Sequence, residues 1–148
     1  MLNYSVALRI WHPSIDPKLI TDVLGLEPSV SWPAGAPKAT PRGTMVVGTR
    51  AETYWHREPL LSADEAQGDR CPEDVLSRAF HRLRPHAEFL LALRTSNARL
   101  NLTLSSYGSE NYAFEFAPEL MAGCASMGLS LVVDVYSLPQ TSLTSTVA

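Results

Sequence analysis

The side chains with the best chance of doing chemistry in this 148-residue chain are four histidines, two cysteines and a run of acids. His81 and His86 are five positions apart, so they do not share a helical face as an i, i+4 metal pair would. Arg82 and Arg84 beside them oppose a cation, and a basic, solvated helix surface is the plainer reading. His12 and His56 each follow a tryptophan at the end of an expected strand. Either could be a ligand or an acid–base group, although a strand-end histidine is more often simply solvated. Cys71 and Cys124 form no CxxC pair. Cys124 falls in the apolar stripe of an expected helix, which suits a buried free thiol. Asp64, Glu65, Asp69, Glu73 and Asp74 crowd together without the spacing of a calcium loop. They read as an acidic loop running into a helix start. Gly35, Gly43 and Gly48 match no phosphate-binding loop, and no serine sits in GxSxG. Neither a catalytic set nor a metal or cofactor site is expected, and the chain leans away from being an enzyme.

Binding residues are easier to nominate. Lys38, Arg42 and Arg50 fall between Trp32 and Trp55. Arginine beside aromatic rings is the composition of interface hot spots, and a guanidinium takes a carboxylate or phosphate with two hydrogen bonds. The bland reading is that these cations keep a loop solvated. Strand alternation adds Arg9, Trp11, Thr103, Glu115, Asp134 and Tyr136 to one sheet face. The nominated binding set is Arg9, Trp11, Trp32, Arg42, Arg50, Trp55, His56 and Tyr136. One arrangement to test is a pocket between the 33–56 region and the sheet, lined by Trp32, Trp55, His56, Arg42 and Arg50.

These residues need elements to position them. Tyr4, Val6, Leu8 and Ile10 alternate with Ser5, Ala7 and Arg9, the pattern of a half-buried strand. Pro13 ends it. Asp16 and Pro17 open a helix with Leu19, Ile20, Val23 and Leu24 on one face, and Gly25 closes it. Short strands are expected at Val30–Trp32, Met45–Val47 and Thr53–Trp55, the last two as a hairpin. The stretch 33–43 reads as a loop. Ser62 and Glu65 have capping-box spacing for a single helical turn. Pro72-Glu73-Asp74 begins a longer helix, which Pro85 should break, itself opening a second helix. Then come alternating runs Leu100–Leu104 and Tyr112–Phe116 around a turn, a helix from Pro118 closed by Gly128, and an apolar run Leu129–Tyr136. The last strand is apolar on both sides, which suggests a central position. The sum is an α+β fold: a two-layer sandwich, a mainly antiparallel sheet with helices packed on one face.

Bulk properties agree with one globular domain, residues 1–138, and a Ser/Thr-rich tail, 139–148. A chain this long can bury roughly 70% of its unfolded surface. Its 45% hydrophobic and 18% charged residues are ordinary for a globular protein. The net charge of −3 argues against nucleic acid, which demands a basic face. With no signal-like start and no membrane-length apolar run, the expected address is the cytoplasm, with no membrane partner.

Several motifs then line up with a known family. They are Leu8-Arg9-Ile10, Leu24-Gly25-Leu26-Glu27-Pro28-Ser29, Gly35, Trp55, Phe116-Ala117-Pro118-Glu119-Leu120, Met127-Gly128-Leu129-Ser130-Leu131 and Val133-Asp134-Val135-Tyr136. Over about Tyr4 to Tyr136 the chain resembles the bacterial family called domain of unknown function 4279. The resemblance implies a small α+β domain with no settled activity, so it carries over no catalytic residues.

The functional expectation is therefore a non-enzymatic domain that binds another protein. A toxin-neutralising, immunity-like role is one concrete version, since an acidic surface can steer a basic enzyme. The alternatives are a small-molecule site or enzyme at the pocket above, and a homodimer that buries the sheet's polar face.

Overall fold

The computed structural model describes residues 3–64, 71–108 and 111–137. The chain runs β1 (Asn3–His12), α1 (Pro17–Leu24), β2 (Val30–Trp32), β3 (Pro37–Ala39), β4 (Met45–Thr49) and β5 (Thr53–Arg57). It continues with α2 (Pro72–Leu83), α3 (Ala87–Thr95), β6 (Arg99–Gly108), α4 (Pro118–Ser126) and β7 (Ser130–Ser137). Five strands form one sheet in the order β2-β5-β1-β6-β7, and β3 and β4 form a separate ribbon. All pairings in the main sheet are antiparallel except β6–β7. The expected α+β architecture is therefore the observed one.

Alternation along β1 decides the layering. Val6, Leu8 and Ile10 are buried, and α1, α2, α3 and α4 contact β5, β1, β6 and β7 respectively. Ile20 and Leu24 from α1, Leu76 and Leu83 from α2, and Leu90 from α3 join Leu100, Leu102 and Leu104 in one core cluster. Each such leucine or isoleucine contributes about 1.5–3 kcal/mol through burial, enough to set which side of the sheet the helices take. The α1 boundaries follow the sequence. Asp16 accepts a hydrogen bond from Lys18 N at 3.0 Å, and Gly25 stops the helix at φ 64° while its N–H donates to Thr21 O. Proline interrupts the next helical run as expected, but Pro85 sits inside a 3-10 turn at Arg84–His86 and the following helix begins at Ala87. A proline has no N–H to give, and a tighter turn absorbs the missing bond.

Three expectations need correction. Tyr112–Phe116 is not a ladder strand. Its alternation is real, with Phe114 and Phe116 packed against the core and Ala113 and Glu115 exposed. The place beside β6 belongs to β7, which returns parallel after α4, so the 111–117 segment is the outgoing limb of a crossover. Glu73 Oε1 pins that limb to the start of α2 by accepting from Glu115 N at 3.0 Å. Second, β4 does not pair with β5. It pairs with β3, a strand inside the stretch 33–43 that reads as a loop in the sequence, while β5 lies between β1 and β2. Third, β7 is at the edge of the sheet, with Val135 and Tyr136 exposed. The expected turn at Ser62–Glu65 and the tail 139–148 lie wholly or partly outside the described residues.

Candidate functional site

The sheet face turned away from the helices carries the nominated residues in cross-strand rows. Register fixes the first row, because Trp32 is opposite Tyr54, Tyr54 opposite Trp11, and Trp11 opposite Arg99. Their rings touch. Centroids are 4.7 Å apart for Trp32–Tyr54 and 5.3 Å for Tyr54–Trp11. A guanidinium closes each end: Arg50 lies 3.9 Å above Trp32 and Arg99 4.7 Å above Trp11. Each contact of this kind is worth about 0.5–1 kcal/mol at an exposed site, so the row is pre-ordered rather than merely adjacent. Both arginines have further partners. Arg50, which follows β4, donates from Nη2 to Ala39 O of β3 at 3.1 Å, so its stacking on Trp32 joins the ribbon to the sheet, and Arg99 Nη2 donates to Glu52 Oε1 at 2.8 Å.

The next row crosses all five strands: Val30, His56, Arg9, Asn101 and Ser130. Arg9 is half-buried, and its Nε atom is buried with no hydrogen-bond partner. His56 Nε2 lies 3.4 Å from Glu58 Oε2 but makes no hydrogen bond. Burial, and then the nearby charge of Arg9, hold the His56 pKa below its usual 6.5 against the opposing pull of Glu58. His56 is therefore neutral at pH 7. The Tyr54 hydroxyl is pushed above its usual value by burial. Beyond this row, Ala7, Thr103 and Ser105 make a buried floor of small residues, and Tyr107 and Tyr136 stack at 4.9 Å on the far side.

Seven of the eight nominated residues are outside the core, and six share this face: Arg9, Trp11, Trp32, Arg50, His56 and Tyr136. Arg42 is exposed in the Thr40–Thr44 turn at the tip of the ribbon. Trp55 points the other way. It is fully buried against the helices, and its Nε1 donates to Thr21 Oγ1 at 3.0 Å. The proposed five-residue pocket is thus not assembled, since Trp55 and Trp32 lie on opposite sides of the sheet. Tyr54, Arg99 and Asn101 were not nominated. The sequence does carry a signal for Tyr54, because alternation at Thr53-Tyr54-Trp55 sends one ring to each face.

His12 is neither solvated nor free. It is buried, its Nδ1 accepts from Ser14 N at 3.0 Å and Ile15 N at 2.8 Å, and its Nε2 is 3.1 Å from Ser96 Oγ. Two N–H donors at Nδ1 leave the proton on Nε2, so His12 is a turn-forming group rather than an acid–base catalyst. Cys71 and Cys124 are both free thiols, the second buried as expected. Among the described residues no His/Cys/Asp/Glu group could hold a metal ion, and no helix is long and apolar enough to cross a membrane.

Fold and face together define a small α+β domain whose sheet offers one side to a core and the other to a row of rings and guanidiniums. The chain belongs to the family described as Domain of unknown function (DUF4279), which it matches over residues 2–138. No curated protein and no solved structure matches it.

Proposed function

We propose that this is a protein-binding domain and that the non-helical face of the sheet is its interface. One observation carries the reading: the row Arg50–Trp32–Tyr54–Trp11–Arg99, continuous across four strands. Tryptophan, tyrosine and arginine dominate interface hot spots because they bury large area at low entropic cost. Here the rings and guanidiniums already hold one another, which lowers the ordering cost of association. The adjoining ribbon adds Met45, Val46 and Val47, which are 65%, 49% and 97% exposed. Apolar side chains on a projecting ribbon beside an aromatic row make a larger patch than a lone surface residue.

Arg50 is engaged by Trp32 and Ala39 O and Arg99 is offset by Glu52, which leaves Arg9 as the charge this face offers, so an acidic group suits it better than the basic enzyme that the net charge alone would suggest. A toxin-neutralising role remains one form of the proposal, and a toxin gene beside this one would support it. Affinity capture from the native source, with wild type beside Tyr54→Ser and Leu91→Ser, tests the interface. The expected result is a partner retained by wild type and Leu91→Ser and lost by Tyr54→Ser. Equal capture by all three would overturn the assignment of this face. Light scattering should show a monomer, whereas a dimer that shields Trp11 would give the face to a second copy.

A further inference from the structure

Among the described residues, the face holds one arginine without a hydrogen bond or ion pair. Arg50 is spent on Trp32 and Ala39 O, and Arg99 on Trp11 and Glu52. Arg57 lies opposite Leu8, on the other side of the sheet; its Nη1 donates to Glu27 O, although its Nε, like that of Arg9, is buried without a partner. Arg9 makes no hydrogen bond or ion pair among the described residues, yet its Nε is buried. A buried donor left unpaired costs about 1–3 kcal/mol, and such groups in folded proteins call for an explanation. Position supplies one. Arg9 lies on the central strand, between His56 on β5 and Asn101 on β6, and two residues from Trp11 in the aromatic row. His56, neutral or protonated, cannot serve as its counter-ion.

We infer that Arg9 is the seat for a carboxylate of the bound partner, an Asp or Glu side chain whose apolar neighbour packs on Trp11 and Tyr54. The inference rests on the protein-binding reading of this face. A guanidinium presents paired N–H donors that match the two oxygens of a carboxylate, and the Asn101 amide stands next in the row as a further donor. Glu58, beside His56, disfavours a doubly charged ligand, so a carboxylate suits the site better than a phosphate dianion.

The test follows the arginine Nε–H resonances of the full chain by NMR during titration with sodium acetate at constant ionic strength. Inorganic phosphate and methylammonium chloride serve as comparison titrants. The Arg9 signal should shift saturably with acetate and move several-fold further than those of Arg50 and Arg99. Methylammonium should leave it in place. No saturable shift at Arg9, equal shifts at all three arginines, or tighter binding of phosphate than acetate would each overturn the assignment. A second arm uses the peptides acetyl-Trp-Glu-Leu-amide and acetyl-Trp-Gln-Leu-amide. Wild type should prefer the Glu peptide at least fivefold, Arg9→Gln should lose the preference, and Arg9→Lys should keep only part of it. A preference that survives in folded Arg9→Gln overturns the seat. The two readings fail separately. Partner capture lost in Tyr54→Ser but intact in Arg9→Gln overturns the seat alone, while acetate seating with no dependence of capture on Tyr54 overturns the interface alone.

Discussion

At the scale of single residues, His12 shows how a polar group is put to structural use. Its imidazole closes the turn after β1 by accepting two backbone N–H groups, and it reaches across to Ser96 beyond α3. Burial lowers its pKa from the usual 6.5. In the unfolded chain the usual value applies, so above about pH 6.5 both states hold a neutral ring and the contribution to stability is complete. Below that pH the unfolded chain gains a proton that the folded one refuses, and stability falls until the pH passes the lowered folded value. His56, also lowered, adds to the same trend. Urea unfolding at pH 7.5 and 5.5 should show wild type losing stability on acidification. His12→Ala should be less stable at pH 7.5 by about 1–3 kcal/mol, because two N–H groups lose their acceptor. It should also lose less on going to pH 5.5. An unchanged pH response in the variant would count against this role.

At the scale of elements, α2 packs on α4 with the Phe80 ring lying over Gly123. A side chain on Gly123 would put its Cβ into the Phe80 ring, so the glycine is what lets the ring lie against α4. Phe80 is only partly buried and can swing aside. Gly123→Ala should therefore cost about 1–3 kcal/mol by overpacking rather than abolish folding. A thermal melt checks the loss, and an unchanged or higher melting temperature would show that the ring yields freely. The same scale explains what the sequence could reveal. Strand β1, helix α1 and the break near Pro85 were legible because local chemistry settles them: alternation, an Asp cap, a left-handed Gly, a missing N–H. Pairing was not. Tyr112–Phe116 alternates like a strand, but alternation reports one buried side, not a hydrogen-bonded neighbour. The Pro37–Ala39 strand, with its proline, gave no sign that β4 would pair there rather than with β5. The site was half legible for a related reason. Arg9, Trp11 and Trp32 could be nominated by type, but only register shows that Trp32, Tyr54 and Trp11 join into one row while Trp55 leaves it.

At the scale of the whole molecule, stability should be graded across the sheet. β1 is central, is hydrogen-bonded on both sides, and lies over α2, whereas β2 and β7 each have one neighbour in the sheet and expose part of their length. Local opening is easiest where few buried contacts must break. Native-state hydrogen exchange should find the slowest amides at Val6–Ile10 and Leu100–Leu104. Those of Val30–Trp32 and of the β3–β4 ribbon should exchange at least tenfold faster. Uniform protection across these segments would mean that the sheet opens as one unit.

The three tryptophans divide between the two sides of one sheet, and this gives the protein its own optical readout. Trp55 is sealed in the core with its indole N–H bonded to Thr21, so its emission reports the integrity of the fold. Trp11 and Trp32 flank Tyr54 under two guanidiniums, so their emission reports what touches the opposite face. A water-soluble quencher reaches the second pair before the first. The chain can therefore signal occupancy of its surface and survival of its core in one spectrum, without any added label.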